Sequence, residues 1–323
     1  MNIIYLIVIC IISFLYFGIM RMKKQELKKK TNIIKEYLIS QSLIKEGKYL
    51  FKMDFNPDYD YTDSEKNISQ IYYFHEKIDF SDIFYSIISY SDIKPHILSP
   101  YDLDLSLNDY LTPIEPEELE EIKEKEAPTE FDEFKLNKIH LYSYDNVNKT
   151  LNYDCTCKTE RMFLGDDLVD IYCEVDLTGI SNNFFSEKLY NQLIVDSYLK
   201  YLQKDYRMAF FLMYSAFECF INLKSGKPEE EKRLVQKKNE LFKTRFKVLN
   251  LNNINSSVNM SNYEKTRNDI AHGKENFNIS KKLVDDIYFD FISLIISFET
   301  NIKNYNELRS YLKIVYNKVR NLG

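Results

Sequence analysis

The stretch Arg267-Asn268-Asp269-Ile270-Ala271-His272-Gly273 brings a guanidinium, a carboxamide and an imidazole together in a chain that has only 4 His. Arg267 carries a permanent charge in a planar fork suited to phosphate oxygens, and His272 exchanges a proton near neutral pH. The imidazole can take the 2′-hydroxyl proton of RNA or hold that hydroxyl in line, while the guanidinium neutralises charge growing on a phosphorane. The pair is a minimal kit for phosphodiester cleavage without a metal. DNA lacks the hydroxyl that this chemistry needs.

The elements that must position these groups are helices. In a helix each residue advances about 100°, so Asn268 and His272 share a face and the long Arg267 side chain can swing back to join them. Ser261-Asn262-Tyr263-Glu264 has capping-box spacing, and Gly273 suits a position just past a helix end. His272 then lies in the last turn, where the macrodipole favours the imidazolium.

Upstream, Tyr206 to Leu223 is apolar nearly all around and predicts a central bundle helix. Glu218 on that helix needs a partner or water, which is a physical reason for it to face a cleft. Ser225-Gly226-Lys227-Pro228 ends it, and Glu229 to Leu249 follows as a helix rich in Lys and Arg. Within that helix Lys232, Arg233, Lys237 and Lys238 are candidates for tracking RNA phosphates, although a solvated helix face explains the same charges. Further helices are expected from Ser186 to Lys204, from Lys281 to Asn301 and from Arg309 to Val319, making an all-α bundle.

Arg267-Asn268 followed after three residues by His272, behind a helix pair bearing Tyr214-Ser215-Ala216-Phe217-Glu218, resembles the HEPN superfamily, whose signature is Arg-Asn-x-x-x-His in an all-α domain. The resemblance covers 186–323 only. It implies a metal-independent endoribonuclease that needs no cofactor, works as a homodimer with motifs meeting in one cleft, and leaves a 2′,3′-cyclic phosphate and a 5′-hydroxyl. By position it makes Arg267 and His272 the catalytic pair, Asn268 the residue that orients them and Glu218 the polar residue near the cleft. Such domains commonly belong to toxin or antiviral defence systems, with an antitoxin or sensor as partner. Some members bind nucleotide or RNA without cutting it, so a binding module and a membrane-bound scaffold stand as the alternatives.

The remaining sequence bounds the setting. A net charge of −6 argues against a protein coated in nucleic acid over its whole surface. The 5 Cys include one in the apolar N-terminal run and one on a core helix, so they do not read as a disulfide framework. Cys155, Cys157 and Cys173 lack an evident fourth zinc ligand.

Asn2 to Met20 carries no charge, and as a helix it would span roughly 28 Å, close to the bilayer core. Arg21, Lys23, Lys24, Lys28, Lys29 and Lys30 follow, so the positive-inside rule predicts a single-pass anchor with the N-terminus out and the remaining domains cytoplasmic. The expected order is a transmembrane anchor over 1–21 and a basic juxtamembrane helix or stalk over 22–48. An α+β domain over 49–185 then carries an acidic insert at 115–128, and the HEPN-like helical domain takes 186–323. Strands are expected at Ile71-Tyr72-Tyr73-Phe74, Ile139-His140-Leu141-Tyr142 and Leu168 to Val175. His75, His96 and His140, scattered among aromatics, are assigned no chemistry.

Overall fold

The computed structural model describes residues 33–53, 70–98, 112–125, 130–131, 134–159, 170–225, 256–274, 278–300, 302 and 305–320. Two compact units result: one joins the described residues up to Gln41 with Glu187–Tyr316, and the other is built on Ser42–Ser186.

The second unit is a β structure. Its strands are β1 (Ile44–Met53), β2 (Gln70–Asp79), β3 (Phe84–Tyr90), β4 (Lys94–Leu98), β5 (Thr112–Pro113), β6 (Glu130–Phe131), β7 (Phe134–Asp145), β8 (Thr150–Thr159) and β9 (Asp170–Ser181). One sheet runs β3-β9-β1-β5 with β4 also on β9, and the other runs β2-β8-β7-β6; every pairing is antiparallel. The two sheets approach where the Phe51 and Tyr153 rings lie 5.4 Å apart. Tyr49, Leu50 and Phe51 are consecutive and all buried, so β1 is covered on both faces. Its second cover is a helix, Pro116–Glu124, whose Leu119 and Ile122 pack with Leu50, Ile114 and Tyr172. The acidic insert is thus an amphipathic helix with a seated apolar edge. Gly179 sits where a β-carbon would come within 2.4 Å of Phe84, so β3 and β9 pass too closely there for any side chain.

A buried charge cluster ties three strands of the first sheet. Glu174 on β9 is buried, bonded to Lys48 of β1 and 3.2 Å from Nε2 of His96 on β4, with Lys94 at 3.9 Å.

The other unit is helical. Its elements are α1 (Ile33–Ser40), then, counting Pro116–Glu124 as α2, α3 (Leu189–Leu202), α4 (Tyr206–Ser225), α5 (Ser256–Ala271), α6 (Lys281–Glu299) and α7 (Tyr305–Arg320). Helix α6 is its centre: from Val284 to Ser297 every residue except Asp286 is buried or of the core, including Ile287, Phe291, Leu294 and Ile295. Phe217 of α4 stacks on Phe291 of α6 at 3.8 Å. Helix α1 packs on α6, and Glu36 of α1 takes a two-pronged bond from Arg309 of α7 at 2.8 and 3.3 Å.

Two expectations are corrected. The fold class with a transmembrane helix, and the single-pass localisation that depended on it, give way to a helical unit and an antiparallel β unit; among the described residues no helix is long and apolar enough to cross a membrane. The span expected over 1–21 lies outside the described residues. The two longest described helices, α4 and α6, carry charges such as Arg207, Glu218, Asp285 and Asp290 and bury their apolar sides against one another.

The Glu174 cluster sets an acid limit on the β unit. Burial pushes its carboxyl up, yet the bonded Lys48 ammonium, with His96 and Lys94, outweighs burial and holds it below the ordinary carboxylate value. A depressed carboxyl contributes stability that is complete above its unfolded pKa of ~4.3 and is lost as pH falls through the lower folded value. Glu174→Gln should cost about 2 kcal/mol at neutral pH and flatten the acid limb below pH ~4.3, measured by urea unfolding of the whole chain at stepped pH. An unchanged acid limb in this variant contradicts that assignment.

Candidate active site on the Arg267 helix

Helix α5 is mostly polar. Among its described residues only Tyr263 and Ile270 are buried, and with Arg267 they form one stripe at helical spacing. That stripe turns the Arg267 side chain toward α4.

There the guanidinium meets Glu218. Nη2 of Arg267 lies 3.4 Å from Oε2 of Glu218, and Nη1 donates to Oδ1 of Asn268 at 3.1 Å. The guanidinium also stands 5.9 Å from the centre of the Phe211 ring. Both members of the ion pair stay partly open, with side chains 33% and 22% exposed, so a ligand can reach the cation. Nε of Arg267 is buried with no hydrogen-bond acceptor among the described residues. The same charges reach Tyr214, whose phenol is pushed well up, first by burial and then by Glu218 and Glu264, against the lowering effect of Arg267.

The end of α5 fixes His272. Its N–H donates to the Asn268 carbonyl at 2.9 Å, the last full helical bond. Gly273 then turns left-handed at φ +66°, its N–H donating to the Ile270 carbonyl at 3.0 Å while the N–H of Lys274 donates to the Asp269 carbonyl at 3.0 Å. This is a Schellman ending, with His272 as the helix C-cap and its ring exposed. Two cations support the negative end of the dipole: Lys274 sits 3.4 Å from Asp269, and Nη2 of Arg207 donates to the Ile270 carbonyl at 3.4 Å.

Of the residues singled out by sequence, Arg267, Asn268 and Glu218 are joined by direct bonds. His272 stands apart, one turn beyond Asn268 on the same face, with no side-chain bond to the other three among the described residues. Lys232, Arg233, Lys237 and Lys238 lie outside the described residues. Sequence reasoning missed Phe211 and Arg207, although Arg207, Phe211 and Glu218 recur at helical spacing along one side of α4, and that periodicity was the available signal. Among the described residues no group of three or more His, Cys, Asp or Glu side chains is arranged to hold a metal ion.

The left-handed turn at Gly273 makes a specific demand. A β-carbon there would meet nothing within 4 Å, so the cost of Gly273→Ala is one of backbone conformation alone. That substitution should destabilise the helical unit by about 1 kcal/mol, read as a lower urea midpoint, and Gly273→Asn should cost less because Asn tolerates this conformation. Equal midpoints for wild type and Gly273→Ala would rule out the Schellman ending.

Compared with family models, with curated proteins and with solved structures, the chain finds no match.

Proposed function

We propose that the helical unit is a HEPN-type, metal-independent endoribonuclease. The observation that carries this reading is the Arg267 guanidinium, held by Glu218 and Asn268 but one-third exposed, with the exposed imidazole of His272 one turn on from Asn268. Glu218 and Asn268 fix the fork, and the donors they leave over face a phosphate.

In this scheme His272 accepts the 2′-hydroxyl proton. The 2′-oxygen then forms its bond to phosphorus, the bond from phosphorus to the 5′-oxygen breaks, and the departing oxygen takes a proton from solvent. Arg267 neutralises the non-bridging oxygens as charge grows on them, where preorganised donors act most strongly. The products are a 2′,3′-cyclic phosphate and a 5′-hydroxyl. The HEPN resemblance adds a homodimer whose two motifs share a cleft, and a role in toxin or antiviral defence systems. The basic run with Lys232, Arg233, Lys237 and Lys238, outside the described residues, is proposed from its sequence alone to contact RNA phosphates.

The whole chain incubated with labelled single-stranded RNA in EDTA should cut it. His272→Ala and Arg267→Ala should each slow cutting by about a hundredfold or more while circular dichroism stays that of wild type. Cutting that EDTA abolishes, or that survives both substitutions, overturns the proposal. RNA bound but left whole would make the unit a non-cutting binding module.

A further inference from the structure

Helix α5 poses a mechanical problem. It carries Arg267 and His272, and among its residues of described burial only Tyr263 and Ile270 are buried, so polar contacts bear on its rotation. A roll of about 10° moves a side-chain tip on a helix by about 1 Å, and misplacement on that scale is enough to slow a reaction many-fold.

The bond that resists such a roll lies one turn before Arg267. The Tyr263 hydroxyl donates to Oδ2 of Asp290 at 2.8 Å, and both residues are at most 5% exposed. Asp290 belongs to α6, the helix at the centre of the unit. The ring of Tyr263 is boxed by Phe210 of α4 at 5.9 Å and by Phe291 of α6 at 5.6 Å, both near edge-on. A roll of α5 would carry the enclosed phenol away from Asp290 and spoil the bond's length and angle. The same device recurs on α6, where Asp285 accepts from Tyr201 of α3 at 2.8 Å. Each buried carboxylate would be costly among aliphatic side chains, so each pins the helix that brings its donor.

We infer that Tyr263 and Asp290 are positioning residues: their buried hydrogen bond sets the rotation of α5 and so holds Arg267 against Glu218 and His272 at the helix end. Its effect on cutting rests on the ribonuclease reading above; its effect on the helix does not.

Two measurements on the full chain test it. With RNA as substrate, Tyr263→Phe keeps the ring and removes the bond, and should lower kcat about tenfold with KM within about twofold. Asp290→Asn keeps an oxygen that accepts from the phenol and should stay within about twofold of wild type, while Asp290→Leu should fall as Tyr263→Phe does. By hydrogen exchange, amides of 266–272 in Tyr263→Phe should exchange about tenfold faster, with those of α4 and α6 unchanged. Exchange that rises equally in all three helices, or in none, overturns the inference, as does a kcat unchanged in Tyr263→Phe. If the wild-type chain cuts no RNA, the ribonuclease reading falls and the exchange measurement alone decides the role of this bond.

Discussion

Helix α5 buries only Tyr263 and Ile270 among its residues of described burial, and polar bonds join in holding it on an apolar bundle. For α5 those bonds are Arg267 to Glu218, Tyr263 to Asp290 and Arg207 to the Ile270 carbonyl. Hydrophobic burial has no direction, whereas each of these bonds fixes an angle as well as a distance. The arrangement therefore trades some stability for orientation.

The β unit applies the same logic to a sheet. Glu174 sits on the strand shared by β1, β3 and β4 and gathers Lys48, Lys94 and His96 around one buried carboxylate. Removing a single partner from such a group is expensive, so the cluster specifies which strands neighbour β9. In both units the informative residues are charged side chains placed where aliphatic ones would pack more cheaply.

How much of this could be read from the chain depended on how local each feature is. Arg267, Asn268, His272 and Gly273 lie within one helical turn and its ending, so residue type and spacing were enough to single them out. Glu218 stood out because a lone carboxylate on an apolar helix needs an explanation. The bonds from Tyr263 to Asp290 and from Arg207 to Ile270 join positions far apart in sequence, and no periodicity along one helix encodes them. The same holds for His96, unremarkable among aromatics until antiparallel pairing brings it beside Glu174. Ile33–Ser40 was expected only as part of a helix or stalk over 22–48, since its partner helix, α6, lies some 250 residues further on. The charge-free run near the N-terminus read as a membrane span from its hydropathy and the basic residues after it, and it lies outside the described residues, among which no helix is long and apolar enough to cross a bilayer.

The chemistry proposed for the Arg267 helix needs a neighbouring hydroxyl on the substrate, a proton acceptor and a fixed cation, and no other group. Its most direct measurement compares two short strands in EDTA, one all ribose and one with a single 2′-deoxynucleotide at the cutting position. The expected outcome is a 2′,3′-cyclic phosphate from the first and an intact second strand. A cut in the deoxy-substituted strand at that position, or no cut in either, contradicts it.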